Sequence, residues 1–150
     1  MIDQETLAAF LERLNDDLEM STNPIDRTLH FIQQSYPHYH WVGIYWLRGD
    51  HLELGPYVGA STEHVEIPVG QGVCGTAIAE QQNQIVDDVR QRANYLSCSL
   101  HVRSEIVVLL RDQSGRIVGQ IDADSHELAA FDKSDEAMLE CVALIISQHL

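Results

Sequence analysis

Basic residues are scarce in this chain: nine Lys and Arg stand against 23 Asp and Glu, a formal net charge of −14 at pH 7. Nucleic-acid phosphates and anionic membrane surfaces are held by clustered Lys and Arg. So acidic a chain predicts neither as a partner, and suits a small cation, a zwitterion or a basic protein surface. Long apolar runs are also lacking: none approaches the roughly 18 residues that a membrane span needs. Met1-Ile2-Asp3-Gln4-Glu5 has no basic or apolar leader character, so the sequence predicts no secretory signal. Cysteine is limited to Cys74, Cys98 and Cys141. An odd count, in a chain too long to need disulfide staples, predicts a reducing, cytoplasmic setting where any disulfide is transient. Linkers, repeats and low-complexity tracts are missing as well, and 150 residues suffice for one domain with a sizeable core.

What is present reads as alternating helical and extended segments. Leu7, Phe10, Leu11, Leu14 and Leu18 recur at helical spacing and predict an amphipathic helix over about 3–20. Asn23 as N-cap, Pro24 at the first position and Asp26 in the first turn predict a second helix, with Ile25, Leu29 and Ile32 inward. Aromatic and β-branched residues over about 40–47 predict a strand that turns through Arg48-Gly49-Asp50 into a second over about 51–58. The Arg-Gly-Asp tripeptide is read as that turn and not as an adhesion motif. A short strand at about 65–68, a helix at about 73–81 and a brief strand at about 84–86 follow. Residues 87–104 show no period and predict a long loop with one helical turn, and loops of that length tend to be functional. A hairpin over about 105–124 turns at Asp112-Gln113-Ser114-Gly115. A last helix is capped by Asp132, with Met138, Cys141, Val142 and Ile145 as its apolar stripe. Hairpin connections predict an α+β domain: a central antiparallel β-sheet with the N- and C-terminal helices packed on one face. The single domain divides into helices over about 3–36, sheet and pocket over about 40–125, and a closing helix over about 132–149. Such a helical layer often leaves enough apolar surface for a homodimer, and the oligomeric state stays open.

The chemistry concentrates between Gly70 and Glu105. Cys74 follows two glycines at a predicted helix start, where unsatisfied N–H groups and the helix dipole favour a thiolate. Cys98 lies in the long loop near Arg90, Arg92, His101 and Arg103, which favour a thiolate in the same way. Both also suit plain core packing, since cysteine is among the most buried residue types. Cys141 reads as a small hydrophobe. His64, Cys74, Cys98 and His101 supply metal-ligand chemistry, but the close Cys and His pairs of a dedicated zinc site are missing, so no metal is predicted. Asp122 and Asp124 have strand spacing and share one face, and Glu105 opens an otherwise apolar strand. Aspartate is depleted in strands, so this pair fits either a solvated strand end or a site for an amino group. Trp41 and Tyr45 also share a face, as core or as pocket wall.

Six blocks occur in order: His40-Trp41-Val42-Gly43-Ile44-Tyr45, Gly55-Pro56-Tyr57, Gly70-Gln71-Gly72-Val73-Cys74-Gly75-Thr76-Ala77, Ile85-Val86-Asp87-Asp88-Val89, Ser104-Glu105-Ile106-Val107-Val108 and Ile121-Asp122-Ala123-Asp124-Ser125. Together they resemble the GAF-domain family of free methionine-R-sulfoxide reductases, over about Trp41 to the C-terminus. The resemblance implies a GAF-like fold and thiol-dependent reduction of free L-methionine-(R)-S-oxide without a cofactor. It implies Cys98 as nucleophile, Cys74 as the thiol that resolves the sulfenic acid to a disulfide, and thioredoxin as reductant. It further implies Glu105, Asp122 and Asp124 as the acidic substrate site, with Glu105 also acting in catalysis, and Trp41 and Tyr45 as an aromatic wall around the S-methyl group. His64 stands where that family usually carries a further cysteine. Two readings without turnover remain beside it: a GAF module that binds a small molecule, and a redox switch in which Cys74 and Cys98 pair under oxidation.

Overall fold

A computed structural model describes residues 1–92 and 101–150. Helix α1 (Gln4–Leu18) is capped by Asp3, whose side chain accepts from the Thr6 N–H, and it buries Phe10, Leu14 and Leu18. Helix α2 (Pro24–Ser35) follows, with Leu29 and Ile32 buried. Its N-cap is Asn23, as the sequence predicts, but the Asn23 side chain makes no capping hydrogen bond. Strands β1 (Trp41–Arg48) and β2 (His51–Val58) form the first hairpin, with Gly49 supplying the left-handed turn residue at φ 65°. Then come β3 (Glu66–Pro68), α3 (Gly72–Glu80), β4 (Gln84–Val86), a 3₁₀ turn at Val89–Gln91, β5 (Ser104–Arg111), β6 (Ile117–Ser125) and α4 (Lys133–Ser147). The expected single helical turn in the long connection is this 3₁₀ turn.

The six strands form one sheet in the order β3-β2-β1-β6-β5-β4, every neighbouring pair antiparallel. Side chains alternate between its faces, and the core divides accordingly. Val42, Ile44, Ile106, Val108, Leu110, Ile121 and Ala123 pack against α1, α2 and α4. Trp41, Tyr45, Val107 and Leu109 point the other way, into a second core with Val73, Cys74, Ala77 and Ile78 of α3. The terminal helices thus share one face as expected, while α3 is the helix that covers the other. The site lies on the α3 face. Among the described residues, no helix is long and apolar enough to cross a membrane.

Helix α4 is held at its start by a full capping box: the Asp132 side chain accepts from the Ser134 and Asp135 N–H groups, and Asp135 accepts from the Asp132 N–H. Buried Asp135 also accepts from the Tyr39 hydroxyl at 2.8 Å and meets His38 Nε2 at 2.8 Å. Burial, and then the Asp135 charge, push the Tyr39 phenol well above its ordinary pKa. One expectation for α4 is corrected. Its buried face is Met138, Leu139, Val142, Ala143 and Ile146, and Cys141 and Ile145 are only half-buried. The helix leans on β5, which turns its contact face about one residue from the stripe drawn from spacing alone.

Candidate active site

The sheet register brings the acids together. Glu105 of β5 pairs with Asp124 of β6, and Asp124 pairs on its other side with Trp41 of β1. One step along, Asp122 lies between Val107 and Gly43. Glu105, Asp122 and Asp124 therefore share the α3 face across two adjacent strands, although Glu105 is 17 residues from Asp122 in sequence. All three are buried, at 4%, 0% and 2% exposure. Solvated strand ends are not buried, so that reading of Asp122 and Asp124 is overturned.

Burial has an electrostatic consequence. Desolvation raises the Asp122 pKa above its ordinary value, and contacts with Glu105 and Cys74 offset part of the rise. Asp124 is raised further, by burial first and by the neighbouring Asp122 charge second. Neither Asp122 carboxyl oxygen has a hydrogen-bond partner among the described residues, nor does Asp124 Oδ2. Buried carboxyls without partners are costly to a fold and are retained where a ligand uses them.

Cys74 enters from above the sheet. Gly70 and Gly72 adopt left-handed φ angles of 94° and 65°, which turn the chain into α3 two residues before the thiol. Gly75 packs so closely that an added Cβ would lie 2.5 Å from the Pro68 carbonyl oxygen. Gln120 Nε2 donates to the Cys74 carbonyl at 3.3 Å, tying the helix start to β6. Cys74 Sγ, 4% exposed as a residue, donates to Glu105 Oε2 at 3.7 Å. The structure thus joins Cys74 with Glu105 and Asp122. Cys98 falls in residues 93–100, outside the described residues.

Trp41 forms a wall beside the acids. Its Nε1–H donates to the Ala60 carbonyl at 3.0 Å, and its ring stacks on Tyr57 with centroids 5.4 Å apart. A Cβ at Gly43 would meet the indole at 2.5 Å and the Tyr57 Cβ at 2.7 Å, so only glycine lets the ring lie flat over β1. Gly43→Ala is expected to destabilise the protein by about 1–3 kcal/mol despite alanine's better fit to strands, because the ring must leave its seat. Denaturant unfolding with tryptophan emission reads both effects, and unchanged stability would show that the indole relocates at no cost. Tyr45 packs one row further on, fully buried, 6.3 Å from the indole, and its hydroxyl donates to the His64 carbonyl at 2.8 Å.

Among the described residues, two cavities adjoin the acids. One of about 210 Å³ is lined by His40, Trp41, Ala60, His101, Val102, Asp124 and His126. It lies below the roughly 300–1,000 Å³ of drug-sized sites and has the size for a small metabolite. The other, of about 10 Å³, lies among Gln71, Val73, Cys74, Glu105 and Asp122. His40 and His126 of the larger cavity, and their clustering with His101, escape sequence reasoning. His40 and His126 flank paired strands and stack at 4.1 Å and 6°, while His101 joins from the loop, 5.7 Å from His126. Their signal was positional: His40 immediately precedes β1 and His126 immediately follows its antiparallel neighbour β6. Burial, and then the nearby His40 and His101, lower the His126 pKa.

The GAF domain family matches residues 25–150. The chain belongs to the GAF-domain family. This GAF domain is related to free methionine-R-sulfoxide reductases. It is 42% identical over 96 residues to the Escherichia coli free methionine-R-sulfoxide reductase, spanning 64% of this chain and 57% of that protein. The fRMsr of Staphylococcus aureus, solved as a complex with substrate, superimposes with a TM-score of 0.85 at 30% identity, covering 99% of this chain and 97% of that one. The free methionine-R-sulfoxide reductase of Neisseria meningitidis in complex with its substrate gives a TM-score of 0.82 at 33% identity, over 97% and 86% of the two chains.

Proposed function

We propose that this GAF domain reduces free L-methionine-(R)-S-oxide to methionine. The observation that carries this reading is the row of three buried acids, two with unpartnered oxygens, beside an aromatic wall and a thiol. A free amino acid brings an ammonium group, which Asp124 in the larger cavity can hold, with buried Glu105 and Asp122 beside it adding negative charge. Trp41, which lines the larger cavity, receives the apolar S-methyl end, with buried Tyr45 packed beside the indole. Because burial raises the pKa of Asp122 and Asp124, their carboxyls hold a proton more readily than exposed aspartates do and can share it with the sulfoxide oxygen.

In this reading the Cys98 thiolate attacks the sulfoxide sulfur. The sulfoxide oxygen, protonated from the acids, passes to the cysteine, so methionine leaves and Cys98 becomes a sulfenic acid. The Cys74 thiol then displaces water from that sulfenic acid, forming a Cys74–Cys98 disulfide, and the thioredoxin dithiol reduces it by exchange. Cys74 sits within reach of Glu105, which can accept its proton as the disulfide forms. Oxidant and reductant balance: one sulfoxide is reduced for each thioredoxin dithiol oxidised.

Turnover of the separate sulfoxide epimers of free methionine, coupled to thioredoxin and thioredoxin reductase, tests the reading. The R epimer is expected to be consumed at least ~10²-fold faster than the S epimer, since the fixed acids and indole accept one handedness at sulfur. Equal rates would overturn the R selectivity, and no turnover of either epimer would leave a ligand-binding GAF domain.

A further inference from the structure

The smaller cavity has a chemistry of its own. Cys74 Sγ, one Glu105 oxygen and one Asp122 oxygen all lie within 4.8 Å of one another, and all three residues are buried. The void between them measures about 10 Å³, close to the volume that one water-sized particle needs. Both Asp122 oxygens are without hydrogen-bond partners among the described residues, and Asp122 lines this void with no exposure to solvent. A tetrahedral zinc with Zn–S of about 2.3 Å and Zn–O of about 2.1 Å holds sulfur and oxygen about 3.6 Å apart. Cys74 Sγ and Glu105 Oε2 stand 3.7 Å apart.

We propose that Cys74, Glu105 and Asp122 form a binding site for one divalent transition-metal ion of the zinc class, filled while the thiols are reduced. The thiolate selects zinc-like ions over magnesium and calcium, which prefer all-oxygen shells. Binding involves no electron transfer. The Cys74 thiol releases its proton as the metal–sulfur bond forms, any proton on the two carboxyls is released likewise, and water completes the fourth position. The Cys and His pairs of dedicated zinc sites are close in sequence, whereas these three ligands come from α3, β5 and β6. The bound ion occupies the Cys74 sulfur and two of the acids, so metal binding and sulfoxide turnover exclude one another. The site itself does not depend on the chain being a reductase.

The test is titration of the reduced full-length protein with Co²⁺, an optical stand-in for zinc, followed by displacement with Zn²⁺. The expected result is one equivalent of Co²⁺ bound, with a thiolate-to-cobalt charge-transfer band in the near ultraviolet and the strong visible bands of four-coordinate cobalt. Zn²⁺ should abolish both stoichiometrically. Cys74→Ser is expected to remove the charge-transfer band, Cys98→Ser to leave it, and Asp122→Asn to weaken Zn²⁺ binding at least ~10-fold in an indicator competition. If Asp122→Asn lacks the wild-type circular dichroism, Glu105→Gln gives the same comparison. No band in the reduced wild type, a band that survives Cys74→Ser, or one lost with Cys98→Ser would overturn the site. A positive cobalt titration in a protein that turns over neither sulfoxide epimer would retain this site and discard the reductase reading.

Discussion

Asp122→Asn is expected to lower kcat/KM for free methionine-R-sulfoxide by about 10²–10³-fold while making the protein more stable at neutral pH. The loss follows from the site: the amide cannot balance an ammonium charge and cannot deliver a proton to the sulfoxide oxygen. The gain follows from burial. Asp122 is fully buried, and both its oxygens lack hydrogen-bond partners among the described residues. Its folded pKa is raised above the ordinary 3.8 of an exposed aspartate, chiefly by desolvation. Above that ordinary value the unfolded carboxyl gives up its proton while the folded one still holds it, so stability falls as pH rises through the window between the two pKa values. Asn carries no charge and loses nothing there. The variant's advantage should be close to zero below pH 3.8 and should grow as pH rises above it, seen as a widening Tm difference. Calorimetric melting across that range checks it, and a variant less stable than wild type at pH 8 would show that the carboxylate is satisfied in the fold.

Cys98→Ser is expected to abolish turnover, by at least ~10³-fold, for a reason of electron accounting. Reducing the sulfoxide requires another atom to be oxidised, and a cysteine sulfur can become a sulfenic acid where a serine oxygen has no such state. Cys74→Ser should behave differently. It leaves the first step intact, so rapid mixing should release one methionine per protein and leave a sulfenic acid that a dimedone-type reagent captures. Steady turnover with thioredoxin should then slow sharply, because the resolving thiol is gone. Continued turnover in Cys98→Ser would sink the assignment of the nucleophile, and a missing burst in Cys74→Ser would place Cys74 in the first step.

The element plan was legible because local patterns carry it. Glycine and polar residues marked the hairpin turns at Gly49 and Gly115, both at positive φ. Period-3.6 leucines marked α1, and Asp132 with Asp135 marked the start of α4. The contact face of α4 was less legible. Apolar residues lie on several sides of that helix, so which stripe is buried depends on its rotation against β5, and Cys141 fell to the margin. The histidine cluster was invisible for another reason: His40, His101 and His126 are near one another only because β1 pairs with β6 and His101 lies beside His126 in the fold.

By itself the sequence determined the charge balance, the α+β class, the strand alternation that puts Asp122 and Asp124 on one face, and the blocks that resemble the sulfoxide reductases. All of these rest on neighbours or near neighbours along the chain. Only the tertiary structure decided that these aspartates are buried rather than solvated, that Glu105 joins them through the β5–β6 register, and that Cys74 lies 3.7 Å from Glu105. Those outcomes depend on strand pairing and on the seating of α3 over the sheet, contacts between residues 17 to 48 positions apart, from Glu105–Asp122 to Cys74–Asp122. A thiol and two acids distant in sequence become one site because pairing and packing bring them together.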